Sequence, residues 1–118
     1  MTMFYCYKRC STCKKAQKWL DDHQVSYESQ DLVDFPPKKA DLIAWMTKYQ
    51  DRGIRYFFNT SGQDYRKLGL KDRVTEMTIE EAAEMMAQNG KLIKRPLMVN
   101  EHALTCGFKE EIYQATWL

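Results

Sequence analysis

Two cysteines separated by two residues, Cys10 and Cys13, are the clearest candidates for chemistry in this 118-residue chain. The nucleophile in thiol chemistry is the thiolate, so a reactive cysteine needs surroundings that favour negative charge. Cys10 falls where a strand is predicted to end and a helix to begin. Four cations surround it in sequence: Lys8, Arg9, Lys14 and Lys15. Because helix N-terminal N–H groups and nearby cations both favour a thiolate, we predict that Cys10 is the nucleophile.

Cys13 lies one helical turn beyond Cys10 in the predicted helix. At that spacing its thiol can attack a mixed disulfide on Cys10 and release the product. The pattern therefore predicts thiol-disulfide exchange by a Cys10/Cys13 redox pair. We expect the partner to be a thiol reductant such as glutaredoxin, thioredoxin or a low-molecular-weight thiol, and we expect no cofactor.

A structural zinc site is one alternative for the CxxC motif. Such a site needs four ligands, usually in closely spaced pairs. The remaining candidates form no second pair of that kind: Cys6, Cys106, His23 and His102. We therefore expect no metal. The other alternative is that both cysteines are small helix-terminal residues without chemistry. Cys6, inside the first predicted strand, is expected to be a buried, unreactive thiol, and both histidines are expected at the surface.

Hydrophobic periodicity predicts the elements that position these cysteines. Residues 2–7 are rich in β-formers, and from residue 12 onward apolar side chains recur at helical spacing. Residues 25–33 alternate apolar and polar side chains, as in a second strand. A strand, a helix of about a dozen residues and a second strand imply a parallel pair with a right-handed crossover. Cys10 then lies at the turn between the first strand and that helix.

Helical segments are predicted through the middle of the chain. The first of these is expected to end near Gly53, and residues 54–71 are expected to form short helical pieces. A clearer helix should begin at Thr78, where Glu81 completes the pattern of a capping box. Gly90 is expected to end this helix in the left-handed conformation. These helices precede the last predicted strands.

The final third of the chain predicts a hairpin and a terminal helix. Residues 97–99 and 103–105 are predicted to pair as antiparallel strands, followed by a helix over 109–118. The element order favours an α/β, thioredoxin-like fold with a four-stranded mixed sheet and flanking helices. We expect one domain spanning 1–118, with a helical insertion at about 37–90.

A second candidate site is the dipeptide Arg95-Pro96 before the predicted hairpin. A proline lacks the N–H needed for a central ladder and is expected at the start of a strand. In a thioredoxin-like fold this proline is expected to be cis and to face the CxxC motif. Arg95 would then stabilise the Cys10 thiolate or an anionic substrate. The alternative is that Arg95 is a solvated charge beside a turn.

Composition limits the classes of function that the chain can have. Eighteen basic and sixteen acidic residues give a net charge of +2, without the strong field expected of a nucleic-acid-binding protein. Apolar runs are far shorter than the roughly 20 residues that span a bilayer, and the N-terminus lacks a signal-peptide core. Four cysteines are too few for a disulfide scaffold. We expect a cytoplasmic protein without membrane or direct nucleic-acid partners.

Three separated motifs resemble one protein family over essentially the whole chain. They are residues 10–16 (CSTCKKA), residues 58–62 and 65–68 (FNTSG and YRKL), and residues 92–97 (LIKRPL). On these motifs the chain resembles the glutaredoxin-linked arsenate reductase and Spx family. The resemblance implies a thioredoxin-like fold with a helical insertion. It also implies a nucleophilic cysteine at Cys10 and an arginine before a cis proline at Arg95.

The resemblance covers both enzymes and regulators. Arsenate reductases of this type use further arginines to hold the oxyanion, in positions occupied here by Asn59 and by residues 106–108. They finish their cycle with glutathione and glutaredoxin. Spx-type regulators use the CxxC as a disulfide switch and bind the RNA polymerase α subunit, and Gly53 lies near the glycine used at that contact. We expect a thiol-disulfide oxidoreductase, with an Spx-like redox-sensing transcriptional regulator and an arsenate reductase as alternatives.

Overall fold

A computed structural model describes all residues from Met1 to Leu118. The four strands are β1 (Met3–Cys6), β2 (Glu28–Asp31), β3 (Leu97–Val99) and β4 (Leu104–Cys106). The five α-helices are α1 (Ser11–Asp22), α2 (Lys39–Lys48), α3 (Gln63–Lys67), α4 (Ile79–Gln88) and α5 (Glu110–Trp117). Short 3₁₀ turns connect the helices between α2 and β3. None of the helices has the length and apolar character needed to cross a bilayer.

The chain forms two compact units. The sheet unit combines residues 1–31 with 95–118, and the helical unit consists of residues 32–94. The segment expected as a helical insertion, about 37–90, falls within the helical unit. All four strands belong to the sheet unit, together with α1 and α5.

The sheet is mixed and has the strand order β2-β1-β3-β4. Strands β1 and β2 are parallel, whereas β1 with β3 and β3 with β4 are antiparallel. Helix α1 supplies the crossover that a parallel pair requires, and the tight turn at Asn100 is sufficient for the antiparallel pair. The register places Cys6 opposite Asp31 and Tyr5 opposite Leu97. The predicted four-stranded mixed sheet and its flanking helices are confirmed.

One face of the sheet buries the apolar side of α1. Phe4 and Cys6 on β1 and Met98 on β3 form a cluster with Tyr113 of α5 and three residues of α1: Cys13, Ala16 and Leu20. The α1 residues recur every three or four positions, so the helix presents them on one side. Burying a side chain such as Leu20 contributes about 1.5–3 kcal/mol. This packing fixes the start of α1 against the end of β1.

The helical unit is held together by the packing of α2 against α4. Leu42 and Met46 of α2 are buried, as are Ala82, Ala83 and Met86 of α4. The alanines leave room for close approach of the two helices. At the start of α4, Thr78 Oγ1 accepts a hydrogen bond from Glu81 N (3.1 Å) and Thr78 N donates to Glu81 Oε1 (3.2 Å). The predicted capping box is confirmed.

Glycine is needed at Gly90 for a different structural reason from the one predicted. The prediction that it ends α4 in the left-handed conformation is wrong, because the left-handed glycines are Gly53, Gly69 and Gly107. Helix α4 instead ends before Asn89, and Gly90 begins a short 3₁₀ turn. A Cβ atom at Gly90 would collide with the carbonyl oxygen of Leu32. Glycine is therefore required by the close approach of two backbone segments.

The second strand is shorter than predicted. The expected strand over 25–33 forms ladder hydrogen bonds only at Glu28–Asp31, where β2 lies at the edge of the sheet. Val25 and Tyr27, which produced the alternating pattern, pack against the apolar cluster from outside the strand. The alternation of apolar residues therefore predicted correctly which side chains are partly buried, but it did not predict which residues pair in the sheet.

Candidate functional site

The cysteine site is built on the turn that joins β1 to α1. Cys10 is the N-cap residue of α1 and has extended backbone angles, φ −90° and ψ 118°. Its N–H donates to the Tyr7 carbonyl oxygen at 2.8 Å, and its carbonyl oxygen accepts from Lys14 N at 3.3 Å. No side chain caps the helix. The first N–H groups of α1 therefore remain available to a negative charge near Cys10.

Cys10 is a free, half-buried thiol that packs against the apolar cluster of the sheet unit. Cys10 is partly accessible, as a nucleophile requires, whereas Cys13 is buried in the first turn of α1. Lys8, Arg9 and Lys14 are exposed nearby in sequence. The structure thus gives Cys10 the helix-terminal position expected from the sequence.

Cys13 is bonded to Cys6 in a disulfide, with the two Cα atoms 5.9 Å apart. That Cα separation is in the common range for disulfides. The bond that the sequence predicts, between Cys10 and Cys13, is not the one present. Cys6 was expected to be a buried, unreactive thiol; it is buried, but it is bonded to Cys13. The reason is that Cys6 and Cys13 face the same buried cluster from the end of β1 and the start of α1.

Arg95 lies against Tyr7, at the start of the same turn. Its guanidinium carbon is 5.2 Å from the centroid of the Tyr7 ring, and the Arg95-Pro96 peptide bond is cis, as predicted. Arg95 Nη1 is buried and has no hydrogen-bond partner. An unpaired guanidinium N–H is a donor suited to an anion. The predicted action of Arg95 on Cys10 stays a prediction.

Tyr7 is a site residue that the sequence analysis missed. Its carbonyl oxygen accepts from Cys10 N, its N–H donates to Cys13 Sγ at 3.5 Å, and its ring carries the Arg95 guanidinium. Tyr7, in the turn between β1 and α1, therefore contacts Arg95 and both cysteines of the motif. The sequence offered one indication of this role: Tyr7 is an aromatic residue between the strand cysteine Cys6 and the CxxC motif.

A cleft of about 340 Å³ opens beside Cys6. The exposed Lys8 and Lys14 line it from the turn and from α1, and Ser29 and Asp31 line it from β2. Its surface thus combines cations with a carboxylate. A small polar molecule can approach Cys6 from this side.

The other cysteine and the histidines lie away from the motif in sequence and make separate contacts. Cys106 is a half-buried cysteine at the end of β4 and is not part of the disulfide. His23 stacks on Trp19 with ring centroids 4.0 Å apart, and both His23 and His102 are exposed as predicted. No group of three or more histidine, cysteine, aspartate or glutamate side chains has the geometry of a metal site.

Comparison with known proteins identifies the family. The model of the ArsC family matches residues 5–116, which is nearly the whole chain and includes Cys10, Cys13 and Arg95. The chain belongs to the ArsC family. The uncharacterized protein YusI of Bacillus subtilis strain 168 is 40% identical over 114 residues, covering 97% of this chain and 96% of YusI. The regulatory protein MgsR of the same organism is 30% identical, covering 89% of this chain and 81% of MgsR.

A solved structure shows the same fold. A possible arsenate reductase from Streptococcus mutans UA159 matches this ArsC-family chain with a TM-score of 0.88 and 39% identity. The match covers 97% of this chain and 98% of that one. The thioredoxin-like fold inferred from the sequence is therefore confirmed.

Proposed function

We propose that this ArsC-family protein is a thiol-disulfide oxidoreductase in which Cys10 is the nucleophile and Cys13 the resolving thiol. The observation that carries the proposal is the free Cys10 thiol at the uncapped N-terminus of α1, one turn before the buried Cys13. A helix N-terminus stabilises an attacking thiolate, and a second cysteine at this spacing is suited to resolve a mixed disulfide.

The reaction has two exchange steps. The Cys10 thiolate attacks one sulfur of a substrate disulfide, whose S–S bond breaks and whose other half leaves as a thiolate. Cys13 then loses its proton and attacks the Cys10 sulfur, so the second half of the substrate leaves and an internal disulfide remains. Two electrons have passed from the cysteines to the substrate. A thiol reductant, such as glutaredoxin, thioredoxin or a low-molecular-weight thiol in the cytoplasm, returns them.

Arg95 acts as a positioning residue through Tyr7. Its guanidinium lies over the Tyr7 ring, and the Tyr7 carbonyl oxygen holds the backbone of Cys10. The positive charge of the guanidinium also favours a carboxylate or oxyanion on the substrate. These contacts support a role for Arg95 in binding and orienting the substrate.

A disulfide-reduction assay tests the proposal. The substrate is a fluorescent peptide disulfide, with a low-molecular-weight thiol as electron donor. Cys10→Ser should lower kcat/KM by about 10³-fold or more, because the reaction loses its nucleophile. Cys106→Ser is the matched control, since Cys106 is also half-buried and outside the disulfide, and it should leave the rate unchanged. Equal rates for Cys10→Ser and wild type would refute the proposal.

A redox-sensing transcriptional regulator that binds the RNA polymerase α subunit is the second candidate. The 30% identity to the regulatory protein MgsR favours it. Gly53, near the position expected at that contact, is exposed with φ +85°, and a Cβ atom added there would meet no atom within 4 Å. It lines an open cleft of about 400 Å³ with the exposed Arg55 and the buried Val74. Such a cleft is accessible to a protein partner.

Binding to the purified C-terminal domain of the α subunit distinguishes the two candidates. Under the regulator hypothesis, the wild type binds in a titration and Gly53→Glu abolishes binding. Gly69→Glu is the matched control, because Gly69 has φ +63° and similarly open surroundings. Absence of binding by the wild type in both redox states would remove this candidate. Arsenate, assayed with the same electron donor, tests the remaining alternative of arsenate reduction.

A further inference from the structure

Three cysteines, rather than two, meet at the start of α1. Cys6 and Cys13 share the disulfide, and Cys10 packs as a free thiol against the cluster that contains both. We propose that Cys6 is a third redox cysteine, which takes over the disulfide from Cys10 and leaves the nucleophile reduced. This inference rests on the proposed function and extends it to the form in which the oxidised protein rests.

Cys13 is the sulfur common to both disulfides. It follows Cys10 by three residues on α1, and its Cα lies 5.9 Å from that of Cys6 on β1. The 5.9 Å separation of the Cys6 and Cys13 Cα atoms suits a disulfide. Cys6 and Cys13 belong to one buried apolar cluster, and Cys10 packs against it, so both partners of Cys13 lie beside it.

The exchange conserves bonds and electrons. Turnover leaves a bond between Cys10 and Cys13. The Cys6 thiol loses its proton and attacks Cys13 Sγ, the bond to Cys10 breaks, and Cys10 leaves as a thiolate. One S–S bond forms and one breaks, so no oxidant or reductant is consumed. Direction comes from the surroundings: the cations and N–H groups at the helix start favour the thiolate of Cys10 as leaving group.

Re-reduction then begins at Cys6. Cys13 is 1% exposed and Cys6 is 9% exposed, and Cys6 lines the cleft beside β2. A small thiol in that cleft can attack Cys6 Sγ, and Cys13 leaves. A second thiol completes the reduction to two free cysteines and a reductant disulfide. The reductant therefore approaches a different sulfur from the one that attacks the substrate.

Peptide mapping after a timed oxidation tests the proposal. The reduced full-length chain is treated with one equivalent of diamide, quenched with acid, blocked with N-ethylmaleimide and digested with trypsin. Trypsin cleaves after Lys8, Arg9 and Lys14, so Cys6 falls in one peptide and Cys10 with Cys13 in another. A disulfide between Cys10 and Cys13 is internal to one peptide, whereas a Cys6–Cys13 disulfide links two.

The wild type should show the internal disulfide first and then its replacement by the linked peptides, with Cys10 carrying the blocking group. Cys6→Ser should retain the internal disulfide at all times, and Cys106→Ser should behave as wild type. Persistence of the internal disulfide in the wild type, with Cys6 blocked, would overturn the proposal. The wild-type time course decides the matter even if Cys6→Ser fails to fold, and Cys6→Ala offers a second variant.

Activity separates this inference from the proposed function. Cys6→Ser should retain the first turnover of a peptide disulfide and lose several-fold in steady-state rate, because re-reduction loses its entry sulfur. Cys10→Ser should lose both. If Cys10→Ser abolishes activity while Cys6→Ser matches the wild type in both phases, the proposed function stands and the role of Cys6 fails.

Discussion

The two compact units of the chain differ in where their reactive groups lie. The sheet unit contains all four cysteines and both histidines, whereas the helical unit contains neither residue type. The sheet unit is assembled from two distant stretches of chain, and the helical unit is one continuous segment. The strand pairing that joins the two stretches therefore also brings Arg95 to Tyr7. Substitutions in the sheet unit should alter chemistry, and those in the helical unit should alter stability.

The largest expected effect on stability is in the helical unit. Gly90→Ala places a Cβ against the Leu32 carbonyl oxygen, where only a backbone shift can relieve the collision. We expect destabilisation by about 2–4 kcal/mol, as for severe overpacking, measured by urea unfolding. Gly69→Ala is the control for loss of glycine, since its cost arises from backbone angles and not from a collision. Equal stability of Gly90→Ala and wild type would contradict the close approach.

The next effect should separate chemistry from stability in the sheet unit. Arg95→Ala removes the guanidinium from the Tyr7 ring. We expect the rate of disulfide reduction to fall by about tenfold, with unfolding free energy changed by about 0.5 kcal/mol or less. Arg95→Lys should recover part of the rate, because lysine keeps the charge but not the planar fork. A large loss of stability would make Arg95 structural instead.

A smaller effect is expected at the start of α4. Thr78→Ala removes the hydroxyl that accepts from Glu81 N, and this cap should be worth about 1 kcal/mol. The measurement is the urea midpoint, with Thr75→Ala as a control at an exposed threonine three residues earlier. The rate of disulfide reduction by the folded protein should not change. A rate loss as large as that of Arg95→Ala would contradict the prediction that substitutions in the helical unit alter stability and not chemistry.

The smallest effect is a pH dependence in the sheet unit. Burial raises the pKa of Tyr27 to about 12, and its hydrogen bond to Asp21 (3.0 Å) adds to the shift. The folded state thus holds this proton more tightly than the unfolded state, whose pKa is 10.0. The associated stability is present below pH 10.0 and is lost as the pH rises towards about 12. The difference in unfolding free energy between wild type and Tyr27→Phe should be constant below pH 10.0 and should change only as the pH rises from there towards about 12.

Local and topological rules predicted much of the fold. The capping box at Thr78 depends on residues three apart, and the parallel pairing of β1 with β2 follows from the length of α1. Cys10 at the helix start was recognisable because β-formers before it and helical periodicity after it define the boundary. Its nucleophilic role stays a prediction.

The remaining features depend on contacts between segments, which periodicity does not encode. Gly90 fits the pattern of a helix-ending glycine, and only the approach of Leu32 shows why glycine is needed. The bond between Cys6 and Cys13 depends on the packing of α1 against β1. Tyr7 belongs to the site through its backbone groups and ring, and neither is apparent from residue type alone.

The short edge strand β2 also affects how the protein behaves at high concentration. An exposed sheet edge can pair with a strand of another molecule and so begin aggregation. The sequence of β2 is Glu-Ser-Gln-Asp, without one apolar side chain, and it spans only four residues. Carboxylates at both ends would face like charges in any copy that aligned in parallel with it. The edge next to the cysteine turn is thereby protected from uncontrolled strand addition, while the cleft beside Cys6 stays open.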